Sequence, residues 1–273
     1  MKKYQWTALM CLALTACGGG GDSGPSDAPA QTPFADLYQW QIPQGAKQDV
    51  TDLNIFPFDD GDTVVFDRSS AGVANGTLTR TINLFPNATS SIYNVTEIDS
   101  TKPGEPDVTK YSATTIQGIG FQADVVDPLG AGGVLPDVYN RIPVLTEYVN
   151  PLYPAGSTRS LEVQGPIGGD ADGDGKTESY RFTYSQTYRG FEPLQVLGSS
   201  RQVAHFSNTV SMTVRFSTGK ADSTTSSTEE TYFAPGIGLV KRESGNTTRD
   251  GIVVDPAYSM IARSAVVAGV TYP

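Results

Sequence analysis

The chain reads as an all-β, mainly antiparallel protein with few or no helices, and three observations carry that expectation. No apolar i, i+3, i+4, i+7 stripe of convincing length occurs after residue 33. Thr, Val, Tyr, Phe and Ile recur instead in short runs, several of them alternating with polar residues. Gly, Pro, Asn and Asp clusters separate the runs, and 29 glycines and 18 prolines in 273 residues supply turns in a number that long helices would not tolerate.

Taken in order, strands are expected over Thr63–Asp67, Gly76–Phe85, Ser91–Asp99, Thr109–Gln117, Phe121–Val126, Val144–Val149 and Thr158–Gln164. The breaks between them are Lys102-Pro103-Gly104-Glu105-Pro106, Asp127-Pro128-Leu129-Gly130 and Asn150-Pro151. Tyr180, Phe182, Tyr184 and Tyr188 alternate with Arg181, Thr183, Ser185 and Thr187. That row suits a sheet core or cross-strand ladder, with a ligand-contacting lining as the alternative. Over Gln202–Phe216, Ala204, Phe206, Val210, Met212, Val214 and Phe216 take an apolar face, and Val203, His205, Ser207, Thr209, Ser211, Thr213 and Arg215 a mostly polar one. Thr218-Gly219-Lys220 turns the chain into a polar strand over Thr224–Phe233, and Ile237–Glu243 and Tyr258–Val267 close the series. An echo joins Phe56-Pro57…Gly61-Asp62-Thr63 to Asn150-Pro151…Gly156-Ser157-Thr158, as if two related halves met near residue 150.

The N-terminus has a different character. Lys2 and Lys3 form a positive region, Trp6–Ala16 an apolar run, and Leu14-Thr15-Ala16 lead into Cys17. The run falls short of the about 20 apolar residues a membrane-spanning helix needs. Charge, apolar run and small residues before a cysteine resemble the lipobox of bacterial lipoproteins. That resemblance implies a cleaved signal over 1–16 and an acylated Cys17 as the first mature residue. It also implies a membrane partner through the acyl anchor and, with Gly18 rather than aspartate after the cysteine, an outer-membrane destination. Cys11 is then lost with the signal, so no disulfide is expected. Residues 17–33, rich in Gly, Ser and Pro, read as a flexible tether, and 34–273 as the β-rich domain.

The formal charge is −10 and the isoelectric point about 4.5. Clusters of Lys and Arg able to meet phosphates are missing, which argues against a nucleic-acid partner. Acidity is compatible with a divalent cation. The sharpest such signal is Gly169-Asp170-Ala171-Asp172-Gly173-Asp174-Gly175-Lys176-Thr177-Glu178. Calcium takes several oxygen ligands, and alternating aspartates turn successive carboxylates inward. Asp170, Asp172, Asp174, the carbonyl of Lys176 and Glu178 are the expected ligands of a structural Ca²⁺. The segment resembles the D-x-D-x-D-G loops of EF-hands, dockerins and extracellular β-repeat proteins, but Arg181 stands where an EF-hand has its bidentate Glu. A solvated Asp/Gly hairpin connection is the alternative. The second acidic cluster, Asp59-Asp60-Gly61-Asp62, lacks this spacing and reads as a solvated turn.

No catalytic residue is predicted. His205 is the single histidine and reads as a surface strand residue. A Gly-x-Ser-x-Gly elbow is absent, and Gly130-Ala131-Gly132-Gly133 precedes no phosphate-cradling helix. Zinc of the usual His/Cys kind has no ligand set. A carboxylate pair for glycan hydrolysis needs no local motif and stays open, as does an adhesive module.

Tyr232-Phe233-Ala234-Pro235-Gly236-Ile237-Gly238-Leu239-Val240-Lys241 resembles a segment of bacterial envelope lipoproteins that often reads Tyr-Ala-Pro-Gly-Val-Gly-Leu-Val-Lys. Those proteins are similar to curved, half-open β-barrels of the LolA/LolB type. The resemblance implies a curved sheet or half-open barrel, although the helices that plug the LolA/LolB barrel have no counterpart in this sequence. The apolar and aromatic strand faces suit a non-enzymatic binding or structural role, with a groove for a hydrophobic ligand or an envelope protein partner.

Overall fold

The computed structural model describes residues 43–44, 57, 59–86, 91–101, 103–104, 107–114, 118–122, 154–166, 170 and 172–273. The signal, Cys17, the tether, the Gly130–Gly133 run, the strand expected over Val144–Val149 and the junction near 150 lie outside the described residues.

Fourteen strands form one antiparallel sheet, with no helix among the described residues. They are β1 (Thr63–Ser70), β2 (Val73–Pro86), β3 (Ser91–Asp99), β4 (Asp107–Thr114), β5 (Gly118–Gln122), β6 (Thr158–Pro166) and β7 (Ser179–Val196). Then follow β8 (Ser199–Arg215), β9 (Ser223–Ala234), β10 (Gly238–Ser244), β11 (Thr247–Arg249), β12 (Ile252–Asp255), β13 (Tyr258–Val267) and β14 (Val270–Tyr272). The sheet runs β5-β4-β3-β2-β1-β13-β10-β9-β8-β7-β6, with β11, β12 and β14 attached beside it. β5 and β6 end the path unpaired with each other, so the sheet stays open. It nevertheless curls. Glu97 on β3 comes within 3.4 Å of Arg242 on β10, although β2, β1 and β13 lie between those strands.

Two runs of consecutive strands lie side by side in the same sense, joined where β1 pairs with β13. Each begins with the same turn. Gly61 donates to the Ile82 carbonyl, Ile82 to that of Asp62, and Asp62 to that of Asp59. Likewise Gly156 donates to Tyr188, Tyr188 to Ser157, and Ser157 to Pro154. Gly61 and Gly156 both hold φ near +88° (88° and 87°), a region that side chains other than glycine's avoid.

The concave face carries the core. Val64, Phe66, Leu78, Phe206, Phe233 and Met260 are buried there, and the rings of Tyr188, Phe206 and Phe233 pack with centroids 5.1 and 5.9 Å apart. Pro235-Gly236 makes the expected tight turn, closed by the Ile237 amide on the Ala234 carbonyl. A bulge then lets Leu239 and Val240 both turn inward, because Leu239 opposes Phe233 and Lys241 already opposes Tyr232. The aromatic row of β7 is buried as a sheet core would be: Tyr180, Phe182, Tyr184 and Tyr188 all lie under 9% exposed.

A belt of polar side chains crosses this concave face. Arg159 Nε donates to Gln186 at 2.8 Å, Gln186 Nε2 to Asn208 Oδ1 at 2.9 Å, and Asn208 Nδ2 to Thr231 at 3.3 Å. Two residues further along β9, Glu229 meets Arg242 at 3.4 Å, and Arg242 and Arg80 both reach Glu97. Buried polar atoms must find partners, and here they find one another.

Asp62 departs from expectation. Rather than sitting in water it is 4% exposed, because its carboxylate accepts the amides of Asp59 and Ala268 and locks the lead-in of β1 to the β13–β14 hairpin.

Candidate metal centre

The loop between β6 and β7 builds this site from its own backbone. Gly173 and Gly175 hold φ of 83° and 85°, which lets the chain double back over the first aspartate. Asp170 accepts the amides of Gly173 (2.6 Å), Asp174 (3.1 Å) and Gly175 (2.7 Å). These bonds, that of Gly175 foremost, hold its carboxyl below the usual range and keep it ionised. Asp174 accepts the Lys176 amide at 2.8 Å and the Ser217 hydroxyl. The hydroxyl is the main reason that its carboxyl, too, is held down.

Four carboxylates converge. Asp170, Asp172, Asp174 and Glu178 each place one oxygen within 4.8 Å of the others. An ion with oxygen bonds of roughly 2.3–2.6 Å, as calcium has, spans that distance between opposite ligands. Glu178, the last residue before β7, is 1% exposed, so it faces the aspartates from the protein side. Asp172 Oδ1 is buried and has no hydrogen-bond partner. The donors are all oxygen, which suits a hard cation and excludes a thiolate or imidazole site. Lys176 turns its ammonium outward, 70% exposed and 3.8 Å from Asp174, which leaves its carbonyl as the group expected to serve an ion.

Two supporting residues escaped the sequence reading. Thr218 Oγ1 donates to Asp172 Oδ2 at 2.6 Å, and Ser217 bonds Asp174. They belong to the β8–β9 turn, which lies at the same end of the sheet because alternate turns of a meander share an end. The signal available in the sequence was that alternation, not the residues themselves.

A second cluster lies on the outer face. His205 stands 2.8 Å from Glu230 and 3.5 Å from Glu192, and stacks on Tyr232. Its side chain is 17% exposed, so on the outer face of its strand it is partnered by both glutamates. Elsewhere, two cavities measure ≈ 20 and ≈ 70 Å³. The smaller lies under Val64, Phe233 and Leu239, and the larger between Arg68, Asn75, Thr247 and Tyr258.

No protein family matches the chain by sequence, and no curated protein matches it. Among solved structures, it is similar to a presumed lipoprotein from Parabacteroides distasonis, at 10% identity and a TM-score of 0.38 over 80% of this chain and 100% of that one. It is also similar to a presumed exported protein with a YmcC-like fold from Bacteroides fragilis, at 11% identity and 0.36 over 80% and 99%.

Proposed function

We propose that this is a lipid-anchored, non-enzymatic protein of the bacterial cell envelope, with a calcium-stabilised β domain that serves as a structural scaffold. The observation that carries the location is Leu14-Thr15-Ala16-Cys17 behind an apolar run and two lysines. Acylation of Cys17 holds the chain at the outer membrane, and residues 18–33 let the domain stand off from the lipid. The scaffold reading draws on the concave face, where the rings of Tyr188, Phe206 and Phe233 pack on one another and Arg159, Gln186, Asn208 and Thr231 form a continuous hydrogen-bonded belt.

The ion reading draws on the four converging carboxylates. Bound Ca²⁺ would neutralise like charges that otherwise repel, and would tie the β6–β7 loop to the β8–β9 turn through Ser217 and Thr218. Asp170, Asp172, Asp174 and Glu178 would hold it.

The anchor is tested by labelling cells with radioactive palmitate. Wild type should carry the label and fractionate with the outer membrane, whereas Cys17→Ser should lose both. Unlabelled wild type in the soluble fraction overturns the reading. The ion is tested by thermal melting of the purified protein with calcium and with chelator. A midpoint several degrees higher in calcium, abolished by Asp172→Ala, is expected; equal midpoints remove the site.

A further inference from the structure

His205 on β8 lies in register between Gly190 of β7 and Tyr232 of β9. Gly190 presents no side chain, so the imidazole has room to lie flat, and it stacks on Tyr232 with centroids 4.3 Å apart and planes 19° from parallel. In that pose both ring nitrogens face carboxylates. Nε2 is 2.8 Å from Glu230 Oε2, and Nδ1 is 3.5 Å from Glu192 Oε2.

The two contacts constrain the proton count. An ionised carboxylate only accepts hydrogen bonds, and a neutral imidazole carries a single N–H. A neutral ring can therefore answer one glutamate while its lone pair faces the other. The imidazolium answers both.

The neighbouring charges do not take over this role. Glu230 also accepts the Ser207 hydroxyl, and Arg189 on β7 reaches that hydroxyl rather than a carboxylate. On β10, Lys241 pairs with Glu243 at 2.8 Å, and Glu243 accepts the Tyr232 hydroxyl at 3.2 Å. Lys241 also lies 4.7 Å over the Tyr232 ring. Glu192 and Glu230 are thus left to His205.

We propose that His205 is a proton-dependent clasp on the outer face: as imidazolium it joins Glu192 of β7 to Glu230 of β9 across β8, and loss of its proton releases Glu192. The clasp holds while both ring nitrogens carry protons and opens when one of them is lost. It needs neither the lipid nor the ion.

The test is a set of melting curves at pH 5.5 and pH 8.5 on the purified full chain at low salt. Wild type should exceed His205→Gln by about 2 °C at pH 5.5 and by nothing measurable at pH 8.5. Glu192→Gln is the second variant. Its amide can donate to the ring lone pair, so it should keep the contact at pH 8.5 and flatten the pH dependence. The ¹⁵N spectrum of the single imidazole supplies an independent readout, with the Nε2–H tautomer expected at pH 8.5. An equal His205→Gln deficit at both pH values, an undiminished pH dependence in Glu192→Gln, or an Nδ1–H tautomer each overturns the clasp.

Discussion

On β7, β8 and β9 the two faces of the same sheet both carry polar groups, in different surroundings. The concave face holds Gln186, Asn208 and Thr231, at 3%, 8% and 5% exposure. The outer face, one residue along each strand, holds Thr187, Ser207 and Glu230, which share their contacts with water. A polar group inside has already given up its hydration, so its protein partner is indispensable. The same group outside can return to solvent when a partner leaves. Free energy should therefore be concentrated in the belt, and the outer cluster should govern response to conditions more than stability.

The largest effect should come from Arg242→Met, which strips the counter-charge from Glu97 and Glu229 within the belt. We expect a loss of about 3–5 kcal/mol in urea unfolding. A loss under about 1 kcal/mol would mean that the belt is hydrated and the two faces are alike. Asn208→Leu comes next, because Gln186 and Tyr184 both donate to its carbonyl oxygen. Removing that shared acceptor should cost about 1–3 kcal/mol by the same measurement.

The faces should also differ in the sign of their pH dependence. Burial raises the Glu229 carboxyl, with the Arg242 charge opposing it. A raised folded value gives stability that is present below the unfolded value of about 4.3 and lost as pH rises through the folded one. Glu243 is lowered, chiefly by its hydrogen bond to Lys241. Its contribution is present above about 4.3 and lost as pH falls through the lowered value. Stability profiles of Glu229→Gln and Glu243→Gln against wild type should thus diverge in opposite directions, and parallel profiles would erase the distinction. The smallest effect belongs to Arg181→Gln. Its partner Glu162 sits 2.6 Å away with both side chains about half exposed (45% and 50%), so the shift in the urea midpoint should be the smallest of the set.

Where local chemistry sufficed, the sequence was legible. Alternation placed β3 and β13 residue for residue, and it put Phe206, Met212 and Val214 inside and His205 outside. The acidic loop was legible because its carboxylates are neighbours in the chain. β7 was underestimated: it continues to Val196 through a bulge at Arg189, and its hairpin turns on Leu197-Gly198. Leu197 holds φ of 52°, which leucine rarely adopts, so no turn signature announced it. β11, β12 and β14 were missed because strands of three or four residues show no periodicity.

By itself, then, the sequence determined the all-β class, the strand faces and the acidic loop with its converging aspartates, since each follows from spacing within a few residues. Only the tertiary structure decided the contacts of Glu97 with Arg242, of Ser217 with Asp174 and of His205 with both Glu192 and Glu230. Those contacts join residues distant in the chain. They depend on register, on bulges that shift it, and on how far the sheet curls, and no local pattern encodes any of the three.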